Sequence, residues 1–148
     1  MNRLSAPEHF STILEFAAGI ADRGIPISLV LVEPDASTGM PESGELDALV
    51  GDFSQRVRRS DRCTRLTDTR FAALLVDCNR QGAMIFADRL QMAASGDGFA
   101  RTISCGIATW GRDMSSHTDL LKSAERALRR AQEAGGDGIE LHQPGVGG

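Results

Sequence analysis

The feature that most constrains this chain is Ile27-Ser28-Leu29-Val30-Leu31-Val32, a nearly continuous apolar run of strand length. A half-exposed strand alternates apolar and polar residues, so an unbroken run fits a central strand covered on both faces better than an edge. Before it, Phe10, Ile13, Leu14, Ala17, Ile20 and Ala21 fall on one face of a helix predicted over residues 5–24. Ser5-Ala6-Pro7-Glu8 has capping-box spacing with a proline near the first turn, and Gly24 supplies the stop.

Beyond the central run, Pro34, Gly39 and Pro41 mark residues 33–43 as a loop. Leu46, Leu49, Val50, Phe53 and Val57 then recur at helical spacing, predicting a helix to about Arg58. Two short strands follow, over residues 62–66 and 71–76. The intervening Thr67-Asp68-Thr69-Arg70 has hairpin length although it lacks glycine. Ala83, Phe86, Ala87 and Leu90 define a third helix that fades into Gly96-Asp97-Gly98.

Residues 101–108 alternate like a strand packed on one face. Thr118 is placed to cap a last helix with Leu120, Leu121, Ala124, Ala127, Leu128 and Ala131 inward, ending at Gly135-Gly136 before a short strand over 138–141. The order of elements predicts an α+β fold, a mostly antiparallel sheet of about five strands flanked by helices. With 148 residues the chain is read as a single domain. Its expected parts are the N-terminal helix, a core over 25–142 and a flexible tail over 143–148.

Charge and composition narrow the function. Lys and Arg number 16 against 20 Asp and Glu, a formal charge of −4, so no global positive field is available to hold a nucleic-acid polymer. A small ligand read by a few local arginines remains open. No apolar run approaches the roughly 20 residues that cross a bilayer, and Met1 to Phe10 lacks the order of a secretory signal, so a cytoplasmic location without membrane insertion is expected. Cys63, Cys78 and Cys105 are odd in number and sit in or beside strand-like segments, which argues for buried thiols over disulfides or a metal site.

Four stretches, in order from about Ile27 to Leu141, resemble the GGDEF family of diguanylate cyclases. Residues 28–35, with Glu33 and Asp35, are similar to the family's first strand and the acid-x-acid pair near its catalytic metal. Residues 58–71 resemble the stretch holding the RxxD inhibitory site and the signature hairpin. Thr102-Ile103-Ser104-Cys105-Gly106-Ile107-Ala108 resembles the family's TVSIGIA-type strand, and residues 124–132 its AD-x-ALY-x-AK helix. The resemblance implies a ferredoxin-like, nucleotidyl-cyclase-like sheet. A different ferredoxin-like domain with the same strand and helix order is the alternative.

The same comparison implies a degenerate member. Joining two GTP molecules needs divalent metal on carboxylates, backbone able to approach triphosphate closely, and cations that offset developing charge. Where the family has Gly-Gly-Asp/Glu-Glu-Phe, this chain has Thr67-Asp68-Thr69-Arg70-Phe71. The glycines and both hairpin carboxylates are missing, and Arg70 puts a cation where a carboxylate belongs. Counterparts of the family's guanine-contacting Asn and Asp are not found in residues 36–46, its last-helix lysine matches Gln132, and its Gly-Arg-Asn turn matches Gly135-Gly136-Asp137. No catalytic residue, metal ligand, cofactor or magnesium requirement is therefore expected, and Glu33 is read as a vestige.

Arg58 and Asp61 stand at the RxxD positions in the family's register, and Arg89 matches the arginine that supplies a second contact to the same ligand, often from a neighbouring subunit. The chemistry suits cyclic di-GMP. Guanine O6 and N7 are paired acceptors for a guanidinium fork, a carboxylate such as Asp61 accepts the N1 and N2 hydrogens that adenine lacks, and guanidinium planes stack on purines. The expectation is that Arg58 and Asp61 project to one exposed patch away from the hairpin tip. The competing readings are a surface ion pair worth at most about 1 kcal/mol for Arg58 and Asp61, and a solvated helix-face charge for Arg89.

The resemblance implies, as the expected function, a catalytically inactive receptor module that holds cyclic di-GMP through Arg58, Asp61 and Arg89, with ligand-linked pairing of two copies and other signalling domains or proteins as expected partners. The alternatives are a protein-interaction or dimerisation domain without nucleotide, and an active cyclase.

Overall fold

The structure, a computed structural model, describes residues 4–5, 7–36, 43–96 and 101–144. The elements run β1 (Leu4–Ser5), a 3-10 turn (Pro7–His9), α1 (Phe10–Ala21), β2 (Ile27–Pro34), α2 (Ser43–Gln55), β3 (Arg62–Arg65), β4 (Phe71–Val76), α3 (Arg80–Ser95), β5 (Ile103–Thr109), α4 (His117–Glu133) and β6 (Ile139–Leu141). The sheet order is β1-β3-β4-β2-β5-β6. The pairs β2 with β4, β2 with β5 and β3 with β4 are antiparallel, and the two outermost pairs are parallel. The five longer strands are those the sequence predicts, and β1 adds a two-residue edge.

The apolar run becomes the middle of the sheet for the reason its composition suggests. Ile27, Leu29 and Leu31 join a core with Phe10, Leu14 and Ala17 of α1 and Leu120, Ala124 and Leu128 of α4. Val30 and Val32 point the other way, to Leu49 and Phe53 of α2 and Ala83, Ala87 and Leu90 of α3. A strand with period-two side chains covered by two helices on each side has no polar face to offer.

β5 departs from the sequence reading. It is buried on both faces, because Gly106 presents no side chain and α4 lies directly on its backbone. A Cβ at Gly106 would sit 2.2 Å from Leu128 N and 2.4 Å from Ala124 O. A glycine in an alternating strand reads as a polar gap, while here it is the contact surface for a helix.

Helix starts are the other corrections. α1 begins at Phe10 with His9 as its N-cap and no side-chain cap bond, since Leu4–Ser5 pairs with β3 instead of opening a helix. α2 ends at Gln55, short of Arg58. α4 is capped by Ser116 and not Thr118, with the Asp119 carboxylate accepting from the Ser115 and Ser116 amides at 2.8 and 3.2 Å. Gly24, at φ 95°, supplies the left-handed residue that ends the first helix as expected. Most of the 33–43 loop, the side chain of Leu46, the Asp97-Gly98 part of the third-helix turn and most of the 143–148 tail lie outside the described residues.

Candidate functional site

Two pockets of similar size lie at different places on this frame. The first, about 440 Å³, is walled by Arg56, Arg58, Asp61, Asp77, Cys78 and Arg89 among others. The second, about 420 Å³, is walled by Glu33, Asp35, Thr69, Gln132, Gly135 and Gly136 among others.

In the first pocket the turn after α2 places Arg58 and Asp61 against the end of β4. β3 pairs with β4 only from Arg62 opposite Leu74, so the backbone of Val76 has no strand on that side. The Asp61 carboxylate takes its place, with Oδ1 accepting from the Val76 amide at 2.8 Å and Oδ2 from the Arg58 amide at 3.0 Å. Arg58 Nη2 donates to the Val76 carbonyl at 2.6 Å, and its Nε lies 3.5 Å from Asp61 Oδ2. The two side chains thus satisfy both backbone groups of one orphaned strand residue.

The expectation that Arg58 and Asp61 both project to an exposed patch holds for one of them. The Arg58 side chain is 58% exposed and the Asp61 side chain 3%. Asp61 is buried because a carboxylate is the acceptor two nearby backbone N–H groups need. Arg89, exposed on α3, lines the same pocket and forms no hydrogen bond or ion pair among the described residues.

Sequence reasoning missed Arg56 and Asp77. Arg56 lies two residues before Arg58 and is paired with Asp52 at 2.9 Å; proximity to the RxxD motif is the signal that would have found it. Asp77 follows Val76 with φ 56°. Cys78, expected to be a buried thiol, is half-buried at the pocket wall. Burial pushes its thiol pKa up, Arg58 pulls it down, and Asp61 and Asp77 push it up. Cys63 and Cys105 are buried as expected; burial raises the Cys63 thiol to about 11 and raises that of Cys105 strongly.

The second pocket gathers the positions where the sequence departs from the GGDEF pattern. Gln132 Nε2 donates to Glu33 Oε1, Thr69 Oγ1 donates to Glu33 Oε2 at 3.2 Å, and Arg70 Nε lies 3.4 Å from the same oxygen. Asp35 is buried and accepts from Ser104 Oγ at 2.7 Å, Thr102 Oγ1 at 2.8 Å and the Asp137 amide at 2.7 Å. Gly136 has φ 81°, and a Cβ there would meet the Asp35 carboxyl group at 2.8 Å. Both acids are held by neighbouring protein donors, and among the described residues no three His, Cys, Asp or Glu side chains gather as a metal site would require.

The hairpin turn itself forms without glycine. Thr67 Oγ1 accepts from the Arg70 amide at 3.0 Å and the Thr69 amide at 3.3 Å, so a threonine side chain closes the turn and no residue in 67–70 takes a positive φ.

A mixed, mostly antiparallel sheet with two helices on each face, and a polar pocket where β2 meets the tip of the β3–β4 hairpin, defines an α+β domain of the nucleotidyl-cyclase-like kind. The model of the diguanylate cyclase, GGDEF domain family matches residues 46–138, and the chain belongs to that family. No curated protein sequence matches it. Among solved structures, the active GGEEF domain of a diguanylate cyclase from Vibrio cholerae superimposes with a TM-score of 0.85 at 15% identity, over 96% of this chain and 99% of that one. The GGDEF domain of PA1120 (YfiN or TpbB) from Pseudomonas aeruginosa gives 0.82 at 20% identity, over 95% and 97%. The GGDEF domain of DgcB from Caulobacter crescentus, solved in complex with c-di-GMP, gives 0.78 at 16% identity, over 95% and 89%. At these identities the likeness is one of fold.

Proposed function

We propose that the chain is a regulatory GGDEF domain that binds cyclic di-GMP and does not synthesise it. The observation that carries this reading is that Arg56, Arg58 and Arg89 border one pocket of about 440 Å³ in a chain whose net charge is −4. Several guanidinium groups at one pocket suit a ligand with two guanines and two phosphates, because the same group reads O6 and N7, stacks on a purine and offsets phosphate charge. The c-di-GMP complex of DgcB supports the ligand class. Asp61 belongs to the site as the group that anchors Arg58.

The absence of synthesis is supported by the second pocket. Magnesium takes oxygen ligands in near-octahedral geometry. Glu33 and Asp35 do not fit it, because Arg70, Gln132 and Thr69 hold the one while Ser104, Thr102 and the Asp137 amide hold the other. A guanidinium 3.4 Å from Glu33 offsets the negative charge that would draw a divalent ion, which supports a module with no magnesium requirement and no cofactor.

Ligand uptake as a stacked pair links two copies of the domain, each adding its Arg89. Its place is the cytoplasm with the soluble messenger; among the described residues no helix is long and apolar enough to cross a membrane. Isothermal titration tests the first half: heat with cyclic di-GMP at concentrations on the order of 50 µM, abolished by Arg58→Ala, is expected, and no heat rejects the receptor. Incubation with GTP and magnesium followed by chromatography tests the second half, with appearance of cyclic di-GMP overturning it.

A second reading has its own support. α3 exposes Ile85 and Met92, 50% and 67% accessible, on either side of Arg89, and an apolar pair on one helix face suits a protein partner. A partner bound equally well by Arg58→Ala protein would favour this reading over the nucleotide receptor.

A further inference from the structure

We propose that Arg56 is a further ligand-binding residue of the first pocket, placed to meet the phosphates of cyclic di-GMP, and that its ion pair with Asp52 restrains the affinity. This rests on the reading of that pocket as a cyclic di-GMP site.

The space at the first pocket continues past Arg56 and Arg89. The same two arginines, with Met92 and Ala93, line an adjoining hollow of about 270 Å³. The pocket and the hollow therefore meet where the two arginines stand, and both residues they share carry a guanidinium. On one side of this waist lie Arg58, Asp61 and Phe86. On the other side Met92 is 67% exposed beside the hollow.

Cyclic di-GMP carries two purines on a ring that holds two phosphodiesters between them. A purine face suits a polarisable apolar side chain such as methionine, and a phosphodiester suits guanidinium N–H groups. The order base, phosphate, base along the ligand thus matches the order pocket, arginine pair, hollow along the protein.

Local structure holds Arg56 at this waist. Its amide donates to the Phe53 carbonyl at 3.0 Å, just past the end of α2. One turn back along the helix, Asp52 accepts from Arg56 Nε at 2.9 Å and from Nη2 at 3.4 Å. The two side chains are 34% and 30% exposed, and an ion pair four residues apart with that exposure adds little to stability. Its larger effect is on charge. The carboxylate orients the guanidinium and at the same time offsets the charge that an anionic ligand would meet.

The test is isothermal titration of cyclic di-GMP against the wild type, Arg56→Gln and Asp52→Asn, beside thermal melts that confirm folding. It is run at about 0.1 M and about 1 M salt, where charges are screened over about 10 Å and about 3 Å. Both substitutions break the same ion pair. If the pair served only to finish α2, both would weaken binding or neither would change it, and either result overturns the inference. With Arg56 on phosphate the two part. At the lower salt Arg56→Gln binds about tenfold weaker, as loss of a charge-assisted hydrogen bond requires, while Asp52→Asn binds about threefold tighter. Arg56→Gln also loses less affinity than the wild type on moving to the higher salt, because the contact it lacks is ionic. An equal salt dependence takes Arg56 off the phosphates and overturns the inference. Arg56→Gln binding like the wild type, where Arg58→Ala abolishes binding, overturns this inference alone and leaves the receptor standing. A wild type that takes up no cyclic di-GMP overturns the receptor itself, and this inference with it.

Discussion

Asp61 Oδ1 lies 2.8 Å from the Val76 amide nitrogen, where β3 has turned away and β4 continues with β2 as its one strand neighbour. The carboxylate and the Arg58 guanidinium together replace a missing length of strand. The same two residues line the first pocket, so one motif closes the sheet and sets where the arginine stands.

That double duty separates two substitutions. Asp61→Ala leaves the part-buried Val76 N–H without its acceptor and is expected to cost about 1–3 kcal/mol. Arg58→Ala removes a largely exposed side chain and should cost less than about 1 kcal/mol while abolishing ligand binding. Urea denaturation of the two variants measures the difference. Equal stability of Asp61→Ala and the wild type would remove the strand-replacement role.

Two glycines make a matched pair for the packing of the sheet. Gly106→Ala drives a methyl group into the Leu128 and Ala124 backbone of α4, so the helix must lift from β5, at an expected cost of about 3 kcal/mol. Gly19, in α1, has nothing within 4 Å of where a Cβ would stand. Gly19→Ala should raise stability by about 0.5–1 kcal/mol by restoring helix propensity. Denaturation midpoints moving in opposite directions are the check.

The legible and illegible parts of this molecule differ in range. The core helices and strands were legible because their apolar periodicity is a local property: the six apolar positions of α1 and the unbroken run of β2 announce their own faces. Gly106 was not, because its meaning depends on a helix some 20 residues further on. The candidate site divides the same way. Arg58, Asp61 and Arg89 come from the resemblance to the GGDEF family, and all three line the first pocket. The burial of Asp61 was hidden, since it follows from where β3 stops pairing, and so was the left-handed turn at Asp77. The departures from the GGDEF pattern at Thr69, Arg70 and Gln132 are each visible in the sequence, but their convergence on the Glu33 carboxylate is a tertiary fact.

Acid should loosen the start of α4 through one residue. The Asp119 carboxyl pKa is held below its ordinary 3.8 by bonds from the Ser115 amide and hydroxyl and from the Ser116 amide. A carboxylate depressed in the folded state adds stability above its unfolded pKa and loses it as pH falls through the folded value. The Ser115 and Ser116 amide chemical shifts should therefore hold steady from pH 7 to about 5 and then titrate together with a midpoint below 3.8. Asp119→Asn should erase that titration.

Cys78 gives a readout of the first pocket through its native thiol. Cys63 and Cys105 are buried with raised thiol pKa values, and only the thiolate attacks a disulfide reagent, so the folded protein should expose one reactive thiol of its three. Since the Cys78 pKa is also raised above 9.0, its labelling should be slow near neutrality and about tenfold faster at pH 8 than at pH 7. Cys78 shares the pocket wall with Arg58 and Arg89, so cyclic di-GMP bound there covers the sulfur and slows labelling in proportion to occupancy. A Cys78→Ser variant should show no native labelling, and unfolding the wild type should release all three thiols. Labelling that ignores saturating ligand would put cyclic di-GMP somewhere other than this wall.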